Sequence, residues 1–211
     1  PSASGESIPW WHGRPFMCVW RGTATGAGIT PATNIRLRAI QLGSQYPDLM
    51  GEVRGVGLNG RAKFCPETGE VHWIRPHTLP HRVRERIDRR FRLPMAEQVK
   101  RGRWLLNLDG NVGASRIGEL LWYGALFLPD SNRPAVQMGL VAYKHYVPVA
   151  ADLSNLVEQL GWARAHDEEV YNIAVTGHKF ARHELSEFMI SRQLRRKVLT
   201  LPPASDAAFM A

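Results

Sequence analysis

Apolar positions along this chain alternate between short unbroken runs and longer stretches where they recur every three or four residues, the rhythms of strands and helices. Phe16-Met-Cys-Val-Trp20 is a short apolar run bounded by turn residues and predicts a buried strand. The small-residue loop Arg21-Gly-Thr-Ala-Thr-Gly-Ala-Gly28 follows it. Thr30-Pro31 then supplies an N-cap and a first-turn proline for a helix carrying Ile35, Leu37, Ala39, Ile40 and Leu42. Between Gly51 and Ile74 the pattern shortens to β-like pieces separated by Asn59-Gly60 and Thr68-Gly69, which predicts one or two hairpins. A basic helical stretch is expected from about His81 and a short helix near Met95 to Lys100. Trp104-Leu-Leu-Asn-Leu108 reads as a second buried strand, and a helix opening at Ser115 carries Ile117, Leu120, Leu121 and Gly124 on one face. Ala125-Leu-Phe-Leu128 and Tyr146-Val-Pro-Val149 are further strands. Asp152 or Ser154 is expected to cap a helix through Leu156, Leu160 and Ala163; another runs through Val170, Ile173, Ala174 and Gly177, and a last one from about Glu184 to Leu199. This alternation predicts an α/β fold, a mostly parallel sheet with helices on both faces.

Composition narrows the class without naming a function. The 211 residues are 44% hydrophobic and 22% charged, enough for a real core and unlike a disordered chain. No apolar run approaches the roughly 20 residues of a membrane-spanning helix, so no membrane span is expected. Pro1 to Trp11 lack the basic start and apolar run of a secretory signal. Cys18 and Cys65 form neither a disulfide framework nor a Cys-x-x-Cys pair, and no histidine cluster stands at zinc-ligand spacing. They read as buried or half-buried thiols, with no metal expected.

The formal net charge is +8, and much of the excess lies in Arg82 to Arg103 and Arg192 to Lys197. In Arg82-Val-Arg-Glu-Arg-Ile-Asp-Arg-Arg-Phe-Arg92 the arginines alternate with Glu85 and Asp88. That pattern fits a solvated face with local salt bridges, or contact with an anionic partner. Trp20, Trp104 and Trp122 lie in or beside apolar runs and read as core residues, which argues against a nucleic-acid-stacking role.

The candidate chemistry sits after Leu108. Gly110, Gly113 and Ala114 let the backbone approach a ligand closely, and a helix beginning at Ser115 aims free N–H groups at the same place. Arg116 on its first turn can fork onto phosphate oxygens. Together these make an anion pocket at the carboxyl edge of a parallel sheet; the alternative is a glycine-rich turn capped by a serine. Neither Gly-x-Gly-x-x-Gly nor a Walker loop is present. Arg21, after the first strand and before Gly22 and Thr23, is either a second phosphate ligand or a surface ion-pair partner.

Trp20-Arg-Gly-Thr23, the segment Trp104 to Ile117 and His145-Tyr-Val-Pro-Val149 followed by Asp152-Leu-Ser-Asn-Leu156 occur in that order. This series resembles glycosyltransferase family 90, the protein O-glucosyltransferases with capsule-associated and lipopolysaccharide-modifying relatives. The resemblance implies a GT-B architecture of which this chain is one Rossmann-like lobe, inverting transfer of a hexose or pentose from a UDP-sugar to a protein or glycan hydroxyl, and no cofactor or divalent metal. Arg21 and Arg116 would hold the diphosphate. Gly22, Thr23, Asp109, Gly110, Asn111, Gly113, Ala114 and Ser115 would line the UDP-sugar, with Asp109 forming the turn or touching ribose. The resemblance places the catalytic base upstream of Trp20-Arg-Gly, in an N-terminal lobe, so no residue here receives that role. Residues 1–15 are then a linker or truncated edge, 16–200 the nucleotide-sugar-binding domain, and 201–211 a disordered tail. His145 and Tyr146 would order their strand. A UDP-sugar-binding remnant without catalysis and a basic nucleic-acid-binding protein are the competing readings, and the compartment stays open.

Overall fold

The apolar runs around Cys18, Trp104, Ala125 and Val147 come together as parallel strands in a computed structural model of the chain, which describes residues 8, 11–65, 69–110 and 116–185. In chain order the main elements are β1 (Cys18–Ala24), α1 (Ile35–Gln45), α2 (Pro47–Met50), β2 (Glu52–Leu58), β3 (Lys63–Cys65), β4 (Glu70–His72) and α3 (His81–Arg84). They continue with α4 (Met95–Gln98), β5 (Trp104–Leu106), α5 (Ile117–Tyr123), β6 (Ala125–Pro129), α6 (Arg133–Gln137), β7 (Val147–Val149), α7 (Leu156–Ala165) and α8 (Asp167–Glu184). Five strands form one sheet in the order β2-β1-β5-β6-β7, every pairing parallel. β3 and β4 form a separate antiparallel hairpin. The expected α/β architecture, a parallel sheet with helices on both faces, is what the chain adopts.

The sheet is covered twice because side chains alternate along each strand. Trp104 and Leu106 face one core with Trp20, Phe127, Leu37 of α1, and Leu156 and Leu160 of α7. Leu105 faces the other, with Val19, Leu126, and Ile117, Leu120 and Leu121 of α5. All five residues of β6 are buried, as expected of an inner parallel strand. Each such Leu or Phe side chain contributes about 1.5–3 kcal/mol over its exposed state.

Several boundaries differ from the sequence expectation, each for a local reason. Asn34, not Thr30, caps α1: its Oδ1 accepts from the N–H groups of Arg36 and Leu37 while its Nδ2 donates to the carbonyls of Thr25 and Gly28. The carboxamide donates to two loop carbonyls while capping the helix, whereas a threonine hydroxyl has a single proton to give. Asn59-Gly60 makes no hairpin, since β2 pairs with β1 in parallel. The stretch after His81 holds one helical turn, α3, and a 3-10 turn at Arg89–Phe91. Asp88 interrupts it by accepting from the Arg90 N–H. α5 begins at Ile117 with Arg116 at its cap, so Ser115 precedes the helix and lies outside the described residues. Asp152 accepts from the Ser154 N–H, and Asn155 is the cap of α7. Trp122 is 39% exposed, its ring 4.7 Å from that of His178. The stretch expected as a linker or truncated edge ends inside the core: Trp11 is buried there, and buried Arg14 donates to the carbonyls of Val99 and Gly102. The tail at 201–211 and the last expected helix beyond Leu185 lie outside the described residues.

The β2 side of the sheet is closed by the chain itself. Gly55 donates to the Arg86 carbonyl and accepts from the Asp88 N–H, bridging to Ile87 in parallel. The Arg86 guanidinium donates to the carbonyls of Met50, Gly51 and Val53.

Candidate functional site

The sheet reverses direction of growth at β1: the chain moves out to β2, then returns to place β5 on the other flank of β1. In open parallel sheets the crevice beyond the carboxyl ends of two such strands is the place where ligands bind. The β1–β5 ladder pairs Cys18 with Trp104 and Val19 with Leu105. Beyond those pairs, arginine side chains cross the gap.

Arg36, on the first turn of α1, reaches both strand ends. Its Nη1 donates to the Thr23 carbonyl (2.8 Å) and Thr25 Oγ1 (2.6 Å), its Nη2 to the Leu108 carbonyl (2.8 Å), and its Nε to the Asp109 carbonyl (3.0 Å). Arg116, at the start of α5, donates from Nη1 to the Arg21 carbonyl at 3.1 Å. Lys63, buried at the start of β3, donates from Nζ to the Gly26 carbonyl at 2.6 Å. Gly110 permits this convergence, because a Cβ there would meet Thr25 Oγ1 at 2.2 Å and Arg36 Nη2 at 2.9 Å. The close approach expected of Gly110 is thus made to the loop after β1.

Electrostatically the crevice is short of negative charge. Burial, and then the neighbouring Arg116, push the Arg36 guanidinium down to about 10, while Asp109 opposes the shift. Burial lowers Arg116 as well, against the pull of Glu119. Lys63 is lowered by burial and by Arg36. Each is pushed toward its neutral form by burial or by a neighbouring cation, so an anion placed among them would relieve a cost the fold already bears.

Asp109 is held on both sides: its carbonyl takes Arg36 and its Oδ2 accepts from Asn132 Nδ2 at 2.8 Å. Asn132 in turn caps α6 through Oδ1 and the Ala135 N–H. At the end of β5, Asn107 is fully buried, and neither its Oδ1 nor its Nδ2 finds a partner among the described residues.

The sequence-derived site residues divide. Arg116, Asp109, Gly110 and the backbone of Arg21 and Thr23 meet at the crevice. Gly22 lies under Trp20, whose ring a Cβ would approach to 2.6 Å. Asn111, Gly113, Ala114 and Ser115 fall outside the described residues. The Arg21 guanidinium is turned to the other flank of β1, where it pairs with Glu52 and donates to the Phe91 carbonyl at 2.8 Å. The charges that act on it are Glu52, Arg101 and Arg54, whereas those that act on Arg36 are Arg116 and Asp109. His145 closes the turn before β7: its Nδ1 accepts from the Val141 N–H at 3.0 Å and its ring lies 4.8 Å from that of Phe180 in α8.

Sequence reasoning does not single out Arg36, Lys63 or Asn132. Asn132 carries a readable signal, an Asn two residues before a proline at a helix start. Arg36 and Lys63 carry none, because their partners are loops from distant parts of the chain. No group of three or more potential metal-ligating side chains occurs among the described residues, and no described helix is long and apolar enough to cross a membrane.

Comparison with known proteins gives the chain its relatives. The family described as Glycosyl transferase family 90 matches residues 82–192. Protein O-glucosyltransferase 3 of Homo sapiens is 37% identical over 184 residues, which is 86% of this chain and 31% of that protein. Uncharacterized protein 027R of Frog virus 3 (isolate Goorha) is 32% identical over 182 residues, 82% of this chain and 18% of that protein. Protein O-glucosyltransferase 2 of Danio rerio is 39% identical over 85 residues, 39% of this chain and 17% of that protein. The chain therefore spans less than a third of the length of these curated relatives.

Proposed function

Because the chain belongs to glycosyl transferase family 90, we propose that it is the donor-binding lobe of a GT-B glycosyltransferase, holding a UDP-sugar in the crevice between β1 and β5. The observation that carries this reading is a set of three cations, Arg36, Lys63 and Arg116, which donate to carbonyl and hydroxyl oxygens at the reversal point of the sheet. Neutral acceptors fix their geometry without cancelling their charge.

As the bond between the sugar and the diphosphate breaks, negative charge grows on the leaving UDP. Cations already in place stabilise it without a divalent metal. Arg116 is the principal diphosphate ligand, positioned by the Arg21 carbonyl, while the Arg21 guanidinium stays with Glu52 on the other flank of β1. Gly110 with residues 111–115 completes the nucleotide contact, and Asp109, fixed by Asn132, faces the ribose. An acceptor hydroxyl of a protein or glycan attacks the far side of the sugar carbon, inverting it, and a carboxylate outside these residues takes the proton. For a polynucleotide partner Arg14, Arg21 and Arg103 are out of reach, being buried, and only the exposed arginines such as Arg82, Arg84 and Arg89 remain available.

Calorimetric titration of UDP in EDTA into the chain and into Arg116→Ala tests the reading. The substitution is expected to weaken binding at least about tenfold, or 1.4 kcal/mol, with a thermal melt confirming that the variant folds. No binding to the unsubstituted chain, or binding indifferent to the substitution, overturns it. UDP binding without hydrolysis or transfer of any UDP-sugar marks a non-catalytic binding lobe.

A further inference from the structure

On the flank of β1 away from the crevice lies a cavity of about 260 Å³ lined by Arg21, Glu52, Arg54, Arg90, Phe91 and Arg101. The sheet register builds its floor. Val19 pairs with Glu52 and Arg21 with Arg54, so Arg21, Glu52 and Arg54 share one face of two neighbouring strands. The basic stretch after His81 builds its wall, where Phe91 takes Arg21 on its carbonyl and carries the Arg54 guanidinium 4.7 Å from its ring centre.

Four guanidiniums here meet two carboxylates. Glu52 is shared between Arg21 and Arg101, the latter at 3.6 Å. Asp88 is taken by Arg90 through Nη2 and Nε at 2.8 and 3.1 Å. The Arg21 side chain is 4% exposed, and its Nε finds no partner among the described residues. Arg86, anchored on carbonyls, adds a fifth positive charge beside them. Burial, then the repulsion of Arg101 and Arg54, lowers Arg21 despite its carboxylate partner. One carboxylate shared by two guanidiniums leaves donors without a counter-charge, and planar forks of this kind suit an oxyanion better than water.

We propose that this cavity is a second anion site, separate from the UDP crevice, that takes a single oxyanion group of the phosphate, sulfate or carboxylate class. The group is either a free ion or is carried on the sugar acceptor, and the chemistry of recognition is the same. The site accounts for part of the arginine excess between Arg82 and Arg103 that nucleotide binding leaves unexplained.

The test is calorimetric titration of inorganic phosphate into the chain saturated with UDP, so that the crevice is already filled. One binding event is expected, weakened at least about tenfold by Arg54→Ala and by Arg101→Ala, with UDP affinity held within about twofold in both. Arg101, whose side chain is 47% exposed, is the safer variant for folding. Absence of phosphate binding, or binding that survives both substitutions, overturns the proposal. Should UDP itself fail to bind, the donor reading falls alone, and the same variants are then compared with phosphate in the absence of UDP. Glucose 6-phosphate in place of phosphate separates the sources: tighter binding identifies a group carried on a sugar, equal binding a free ion.

Discussion

The two flanks of β1 both gather arginines, and they satisfy them in opposite ways. Toward β5, Arg36 and Arg116 donate to carbonyl oxygens and one hydroxyl. Toward β2, Arg21, Arg101 and Arg90 face carboxylates. A carbonyl fills a guanidinium's hydrogen-bonding capacity and leaves its field intact, whereas a carboxylate largely cancels that field at a distance. The β5 flank is thus a pre-formed positive site, and on the β2 flank two carboxylates offset part of the charge of five guanidiniums. The number of arginines in a region says little; the oxygen each one meets decides what it can do.

Removing Arg36 breaks this contrast most severely. Arg36→Ala deletes four hydrogen bonds that tie the loops after β1 and β5 together. It is expected to cost about 3–4 kcal/mol in urea unfolding and to abolish UDP binding. Arg36→Lys should restore less than about half of that, since a single ammonium cannot span four acceptors. A loss below about 1 kcal/mol would mean that the loops are held by something else.

Glu52→Gln tests the other flank. Arg21 keeps a hydrogen-bond partner but loses its counter-charge, so a destabilisation of about 2 kcal/mol is expected. Phosphate uptake by the same cavity should tighten roughly fivefold, about 1 kcal/mol. Unchanged phosphate affinity would show that Glu52 does not set the balance there.

The smallest effect concerns Asn107. Asn107→Leu, nearly isosteric, removes a buried carboxamide that has no partner among the described residues. A gain of about 1 kcal/mol in thermal unfolding is expected, together with weaker UDP binding measured by calorimetry. A loss of stability would instead mean that the carboxamide is hydrogen-bonded in the folded protein.

The β5–α5–β6 unit was readable because its residues obey one rule throughout. Trp104, Leu105 and Leu106 are apolar on both faces, and Ile117, Leu120 and Leu121 recur at helical spacing. The β2 region was not readable in that way. Glu52 to Leu58 has strand character, yet periodicity does not reveal a strand's partner, and Asn59-Gly60 pointed to a hairpin where a parallel edge formed. Between Arg82 and Arg92 the local salt bridge expected of the pattern is present as Arg90 with Asp88. Arg86, however, takes the backbone carbonyls of Met50, Gly51 and Val53, which no local pattern announces. The candidate site was half legible for the same reason. Arg116 and Gly110 stand in a local motif, whereas Arg36 acquires its role only when residues 23 and 108 become neighbours.

The clip formed by Arg86 to Asp88 also governs how this sheet meets other chains in concentrated solution. An open strand edge is a template on which a foreign strand can grow, the first step toward cross-β aggregates. Along β2 the Gly55 N–H and carbonyl are already taken by Arg86 and Asp88, and Arg86 occupies three more carbonyls below them. At the opposite edge β7 is three residues long with Pro148 at its centre, a residue with no N–H to offer. Both margins are blunted, one by the chain's own backbone and the other by an imino acid, so growth of the sheet stops at five strands.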